Sequence, residues 1–350
     1  AYHWQLNKGP GTDYDWETDA HLFHASYEVS SALKLSGFVY YIDIPEAGRE
    51  NLSNTTYGGR LTGKVDRHNI AVMNIQTQEV GSRPGENFFV ARYSRDIFAR
   101  SKVGGMIINK EAVGDARYNR TFAVDASLTP HPFFTLTGFM AKTESPHLAN
   151  EDLMGHLMLS WLSPAARIYS EYTDIQDNFN AEVGFLPRIG IRRSKLHAQW
   201  NPRPGTWGIR SMDPMMNIEY TTDQNNRLLS RRVHHMIGFQ FEDGSSFTLI
   251  TNKVFEQLDV PFQIRSDVTI PPGTYRFGEW SFMYNTDPSR RLYAQTRYSP
   301  QTFFGGTRTD MRVTLGVRAT SRIAAEAQFN RSDVELPGGA FIADLASLRL

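Results

Sequence analysis

The chain has 350 residues, with 37 basic and 37 acidic side chains and no cysteine. Balanced charge excludes a nucleic-acid tract or polybasic arm, which needs clustered Lys and Arg, and the missing cysteine excludes a disulfide framework and a thiolate metal site. No run of about 18 apolar residues occurs, which excludes a transmembrane helix, and Ala1 opens directly in polar, aromatic sequence, so any signal peptide is expected to have been removed or not included.

Two-residue periodicity recurs along the chain, and helical periodicity is almost absent. Phe23, Ala25, Tyr27 and Val29 oppose His24, Ser26 and Glu28. Met216, Ile218 and Tyr220 alternate with Asn217 and Glu219, and Trp280, Phe282 and Tyr284 with Glu279, Ser281 and Met283. Met311, Val313, Leu315 and Val317 stand against Arg312, Thr314, Gly316 and Arg318; Ile323, Ala325, Ala327 and Phe329 stand against Glu326 and Gln328. One face suits hydrocarbon and the other suits water.

A soluble β-sandwich also alternates, so the connections decide between the two. In chain order, long polar links at 8–19, 45–54, 81–86, 113–119, 146–153, 177–188, 223–227, 258–275, 299–309 and 333–339 take turns with short ones. The short links fall at 30–32, 66–67, 98–100, 130–132, 163–165, 202–205, 243–245, 287–289 and 321–322. Long external loops alternating with short periplasmic turns are the mark of an outer-membrane barrel. The fold class is therefore predicted as all-β, a transmembrane antiparallel up-and-down β-barrel of about 16–20 strands occupying residues 1–350. A mean hydropathy of −0.42 agrees, because only alternate residues meet lipid. Tyr40, Tyr41, Trp161, Trp200 and Trp207 near strand ends suit interfacial girdles. No four-strand repeat supports a propeller. The expected location is the outer membrane of a Gram-negative bacterium, and the absence of cysteine suits its oxidising periplasmic route.

The segments Tyr57-Gly58-Gly59-Arg60-Leu61-Thr62-Gly63-Lys64, Asn87-Phe88-Phe89-Val90-Ala91-Arg92 and Tyr118-Asn119-Arg120-Thr121-Phe122-Ala123-Val124-Asp125 resemble an uncharacterised outer-membrane family. The most specific piece is Asp177-Asn178-Phe179-Asn180-Ala181-Glu182-Val183-Gly184-Phe185-Leu186-Pro187-Arg188. In that family a carbohydrate-binding-family-9-like domain usually precedes the barrel, and the resemblance runs from about residue 59 to 350. Residues 1–64, through His21-Leu22-Phe23-His24 and Leu33-Lys34-Leu35-Ser36-Gly37-Phe38, resemble the alginate-export barrels instead. The resemblance implies strands of both kinds in one barrel and carbohydrate-like solutes. The closing Leu348-Arg349-Leu350 lacks the terminal aromatic usual in outer-membrane barrels.

No serine-nucleophile elbow, zincin motif, phosphate-binding glycine loop or EF-hand loop is present, so neither an enzyme nor a cofactor is predicted. Asp13, Asp15, Glu17 and Asp19 supply oxygen ligands for Ca²⁺ but lack the glycine turn and closing Glu, which favours a solvated loop. His234 and His235 are adjacent, so a strand sends them to opposite faces. His24 and Glu28 share a face without a nucleophile beside them.

Two groups of residues are candidate sites. Arg92, Glu219, Glu279, Arg312, Arg318 and Glu326 fall on predicted inward faces, where they line a pore or brace the wall as a salt-bridge network. Asp177, Asn178, Phe179, Asn180, Glu182, Phe185 and Arg188 belong to a long mixed segment that folds inward as a constriction loop, or packs over the rim through Phe179, Phe185 and Leu186. The expected function is a porin-like channel for polar, carbohydrate-like solutes. The alternatives are a structural or interaction barrel in an envelope or secretion assembly and, less favoured, an intramembrane hydrolase. Expected partners are outer-membrane lipid and small polar solutes, with no nucleic acid.

Overall fold

The structure, a computed structural model, describes residues 2–3, 19–30, 32–44, 52–79, 81, 84–320 and 323–350, with backbone alone for 2–3, 19–30, 37–44 and 52–55. The calcium-loop residues Asp13, Asp15 and Glu17, and the side chains of Asp19, His24, Glu28, Tyr40 and Tyr41, lie outside the described set. The described chain contains strands and no helix. They are β1 (Tyr2–His3), β2 (Asp19–Ser30), β3 (Leu33–Ile44), β4 (Leu52–Val65), β5 (His68–Thr77), β6 (Glu86–Ile97), β7 (Ser101–Ala112), β8 (Tyr118–His131) and β9 (Phe134–Glu144). After β10 (Leu153–Leu162) and β11 (Ala166–Ile175) come β12 (Ile191–Trp200), β13 (Ile209–Met212), β14 (Met215–Asp223), β15 (Leu228–Phe241) and β16 (Ser246–Leu258). The series closes with β17 (Phe262–Arg265), β18 (Val268–Ile270), β19 (Gly273–Asn285), β20 (Leu292–Phe303), β21 (Gly306–Arg318), β22 (Ala324–Leu336) and β23 (Gly339–Arg349). Apart from the short β1, β13, β17 and β18, every described strand has at least nine residues. That is the length a tilted strand needs to cross hydrocarbon, about 9–11 residues.

The chain divides into two compact units, Ala1–Leu157 with Asp174–Gly190, and Met158–Thr173 with Ile191–Leu350. In the first, β2 through β9 form a meander in which each strand pairs antiparallel with the next. In the second, β12 pairs with β14, β14 with β15, β15 with β16 and β16 with β19, followed by β20 to β23 in order. This is the up-and-down antiparallel architecture of outer-membrane barrels.

Burial is inverted relative to a soluble domain. Among the described residues, nine apolar side chains are buried against fifteen polar ones. The polar group is dominated by Ser, Thr, Asn and His on one face, and Leu315, Val317, Trp280, Phe282, Val124 and Met140 are exposed on the other. Neighbours on β21 make the point: Leu315 is 58% exposed and Thr314 only 3%. A water-soluble sheet protein would bury the apolar face, so this one fits a membrane in which lipid covers it. The alternation predicted for β14, β19 and β21 is therefore the observed one.

Three predicted links need correction. The segment 299–309 is no long loop: β20 and β21 stay paired from Leu292↔Val317 to Phe303↔Gly306, joined by Phe304-Gly305. Both turn residues have positive φ, 44° and 84°, as a two-residue hairpin turn demands. The strands continue past Pro300 because the tip is held by aromatic contacts. Phe304 lies 4.8 Å from Phe303, 5.0 Å from Phe277 and 5.1 Å from Tyr275, centroid to centroid. Likewise 333–339 shrinks to the turn Pro337-Gly338 between β22 and β23. The predicted loop 258–275 carries the small hairpin β17–β18, whose Val268 and Ile270 are buried and whose Arg265 stacks 5.3 Å above the Phe341 ring. A Cβ on Gly339 would stand 3.4 Å from Val268, so this one long link covers the ends of the two hairpins that lack loops of their own. The short link 202–205 is larger than predicted, because β13 leaves the turn to pair with the end of β15.

Between β13 and β14, Asp213 presses against Gly238, where a Cβ would meet its carboxylate at 2.0 Å. Its Oδ1 is buried without a hydrogen-bond partner among the described residues, and burial pushes the carboxyl above the usual range. A raised folded-state value means that stability is complete below the unfolded-state value and falls as pH rises through the folded one. Asp213→Asn should therefore raise thermal stability at neutral pH, with the gain fading below pH ~4, where wild type is neutral too. Melting curves at the two pH values check it.

Lipid-facing and polar-facing changes should differ in cost. Leu315→Arg is expected to destabilise by about 2–4 kcal/mol if the residue sits near the bilayer midplane. Thr314, being buried, is the wrong control; Gln328→Arg, on the same polar face of β22, should cost well under half as much. Urea titration of refolding into vesicles measures both, and equal costs would refute the assignment of faces.

Candidate functional site

On the first unit's polar face, Arg92 of β6 reaches across β7 to Asp125 of β8, with nitrogen–oxygen distances of 2.7 and 2.8 Å. Gly104 lies between them, and a Cβ there would approach Asp125 to 3.1 Å and Ser94 to 3.0 Å. The bare backbone therefore lets a bridge span two strand spacings. Lys64 of β4 pairs with Asp96 of β6 at 2.6 Å, and Asn69 donates to the same carboxylate at 3.3 Å.

At the loop end of this face the segment 176–190 folds back onto the sheet. The Asn180 N–H donates to Thr143 Oγ1 at 3.0 Å, and Asn119 Nδ2 donates to the Asn180 carbonyl at 2.7 Å and Ser145 Oγ at 2.8 Å. Asn119 is only 1% exposed. Glu182 meets Lys110 at 2.9 Å, and Lys110 also holds Glu86 at 2.9 Å, so one ammonium joins the loop to the wall. Asn178 anchors the base of the loop by donating to the carbonyls of Ala149 and Asn150 at 3.3 and 3.0 Å. Phe179 is buried; Phe185 is 89% exposed and packs on no rim, and Arg188 is exposed as well. Asp177 leans on Gly190, whose φ of +68° closes the loop. The predicted loop residues therefore split: Asp177 to Glu182 dock and Phe185 to Arg188 stand free. Beside the docked part lies a pocket of about 300 Å³, lined by Glu86, Lys110, Arg117, Asn119, His147 and Glu182 among others.

The second unit's polar face carries a row of side chains at one level across successive strands. Tyr169 stacks on His197 at 4.5 Å with a 9° interplanar angle. His197 Nδ1 meets Asn217 Oδ1 at 2.5 Å, and His234 Nδ1 meets Asn252 Oδ1 at 2.7 Å. Asn252 Nδ2 donates to Glu279 at 2.7 Å, and Glu279 also accepts from Arg297 at 3.2 Å. Arg297 donates further to Ser281 and Ser299, both at 3.0 Å. Above this row, Glu171 lies 3.7 Å from both Arg193 and Lys195. Glu219 stands in register between Lys195 and Arg232. At the far side Tyr293 lies flat over Gly316, where a Cβ would fall 1.9 Å from its ring, and donates to Glu326 at 2.9 Å. Arg318 stacks over the same ring at 5.9 Å, and Arg312 donates to Asn330 at 2.7 Å.

All six residues predicted as inward charges stand on the polar face of their units. Four are tied by hydrogen bonds or ion pairs and Arg318 by its ring contact, whereas Glu219 has no hydrogen-bond or ion-pair partner among the described residues. Sequence reasoning passed over Lys110, Asn119, Thr143, His197, Asn217 and Asn252, whose roles depend on register. The strand period marked them as polar-face positions and no more. His234 and His235 do part as predicted: His234 joins the row and His235 is exposed. Among the described residues no three His, Asp or Glu side chains gather to hold a metal ion.

No family model matches the chain, and no curated protein does. Among solved structures it is similar to OccK5 (OpdH) of Pseudomonas aeruginosa, with 10% identity and a TM-score of 0.45 over 95% of each chain. It is also similar to OccAB2 of Acinetobacter baumannii, with 10% identity and a TM-score of 0.46 over 91% of this chain and 96% of that one. The outer membrane protein OpdK of Pseudomonas aeruginosa gives 11% identity and a TM-score of 0.39 over 95% and 97%.

Docking of 176–182 should hang on Asn119. Asn119→Ala strands the Asn180 carbonyl, a loss of ~1–3 kcal/mol in holding the loop. Trypsin should then cut after Arg188 about tenfold faster, since each ~1.4 kcal/mol is a decade in open population. Unchanged cleavage would show that the loop is held by something else.

Proposed function

We propose that the chain is an outer-membrane channel for small polar solutes, with the polar faces of its units as the wetted wall and 176–190 as the constriction. The observation that carries this reading is the inverted burial, apolar residues exposed and Ser, Thr, Asn and His buried, on strands long enough to cross hydrocarbon. A second support is the charge pattern. Arg92 with Asp125, Lys110 with Glu86 and Glu182, and Arg297 with Glu279 place both signs on the polar faces, which suits a channel with little bias between cations and anions. The carbohydrate-like class of solute rests on the family resemblance alone. Arg92, Glu219, Glu279, Arg312, Arg318 and Glu326 are the proposed wall charges. No step of bond-making is part of this function, and outer-membrane lipid is the partner of the apolar face.

Planar-bilayer recording of the purified protein is the direct test. Deleting 180–184, the docked tip and its exposed continuation, should raise single-channel conductance and admit larger sugars, since loops tolerate shortening. Changing Arg312 and Arg318 together to Glu should move the reversal potential toward cation selectivity, because wall charge sets the local potential. Absence of conductance, with and without 180–184, would leave a structural barrel as the better reading.

A further inference from the structure

The second unit's polar face holds one place where its charges do not neutralise each other. Glu219 of β14 is register-paired with Arg232 of β15, positions whose Cβ atoms stand about 4.5–5.5 Å apart in an antiparallel ladder. Cross-strand opposite charges normally meet. Here, among the described residues, neither makes an ion pair or hydrogen bond. Lys195, register-paired with Glu219 on its other side, turns instead to Glu171 at 3.7 Å. The two free charges face a cavity of about 340 Å³ that Tyr169, Lys195, Asn217 and His234 also line. That is the small end of the range for ligand sites, about 300–1,000 Å³.

The cavity also has a fixed hydrogen-bond polarity. Asn252 Nδ2 donates to Glu279, so Asn252 Oδ1 is an acceptor, and the neutral His234 ring must present its proton on Nδ1 to reach it at 2.7 Å. His234 Nε2 is then a lone-pair acceptor. The site thus offers a carboxylate and an imidazole acceptor for a cationic donor, and a guanidinium with an ammonium for an anionic acceptor. A neutral sugar has no charge to set against Glu219 and Arg232. A simple anion leaves Glu219 uncompensated, and a simple cation leaves Arg232 so.

We propose that this cavity is a recognition site for small zwitterions carrying one ammonium and one carboxylate, the chemistry of α-amino acids and short peptides. Arg232 and Lys195 take the carboxylate, Glu219 and His234 Nε2 take the ammonium, and the Tyr169–His197 stack forms a flat wall beside them. The inference rests on the channel reading for its biological sense, not for its binding chemistry.

Two readouts on the purified protein separate the two ideas. In planar bilayers glutamine should block the open-channel current in a saturable way, and glucose at equal concentration should not. Titration calorimetry in detergent should register glutamine binding and no glucose binding. Arg232→Gln and Glu219→Gln should each weaken glutamine by about tenfold or more in calorimetry, the loss of one charge-assisted contact. The exchange of both charges, Glu219→Arg with Arg232→Glu, should recover part of the binding and reports on variants whose defect is merely misfolding. Glutamine and glucose behaving alike in wild type would overturn the site while leaving the channel standing. Single variants that bind glutamine like wild type would reduce Glu219 and Arg232 to a wall brace and overturn it equally. Calorimetric binding without any conductance would overturn the channel and keep the site.

Discussion

The constraint on which the structure depends is that a backbone in hydrocarbon finds no water to pair with. Every N–H and C=O left open there costs several kcal/mol, so strands that cross must be paired with neighbours along their length. Long antiparallel pairings such as the thirteen of β16 with β19, from Ser246↔Asn285 to Leu258↔Gly273, answer that demand. Once the backbone is committed to strands, the period of two sorts every side chain to one face or the other. Leu315, Val317 and Trp280 then need lipid, whereas Ser281, Ser299 and Asn252 need partners: the two serines find them in each other and Asn252 in Glu279. The polar rows are a consequence of the pairing, since register alone brings His197 beside Asn217 and His234 beside Asn252.

Most of the architecture was legible in the sequence because period two is a local signal. The faces of β14, β19 and β21, and the turns at 66–67, 98–100, 163–165 and 243–245, followed from it and from turn chemistry. The links 299–309 and 333–339 were misread because Pro and Gly serve both in loops and in two-residue turns. What distinguishes the cases at Phe304-Gly305 is an aromatic cluster from Tyr275 and Phe277, residues nearly thirty positions away. The covering of those hairpin ends by β17 and β18 is equally non-local. The candidate site was half legible. That Arg92, Glu219 and Glu326 each stand on the polar face of their strand could be counted off; that Asp125 lies two strands from Arg92, opened by Gly104, could not.

Glycine has a specific part in the polar-face electrostatics. At Gly316 the missing Cβ leaves a floor over which the Tyr293 ring lies flat, and at Gly104 it leaves room for the Asp125 carboxylate that Arg92 reaches from β6. A side chain at either place would force the partners apart and leave charges or a hydroxyl to find water separately. Bridging over glycine lets one charge be satisfied from a non-adjacent strand, which ties three strands together where a cross-strand pair ties two.

Pairing of this kind also bears on selectivity. A wall whose charges are matched within the sheet projects little net field, and a chain with 37 charges of each sign adds none at long range. Solutes are then not drawn in by sign, as they would be along a wall of one charge. Discrimination has to come from contact at places where matching fails, and Glu219 beside Arg232 is such a place. The brace and the recognition site use the same residue types on the same face. They differ in whether the neighbouring strand supplies the counter-charge: Gly104 lets Arg92 reach one, and Glu171 draws Lys195 away from Glu219. Selectivity in such a wall is therefore set by which charges the fold leaves unmatched, more than by how many it carries.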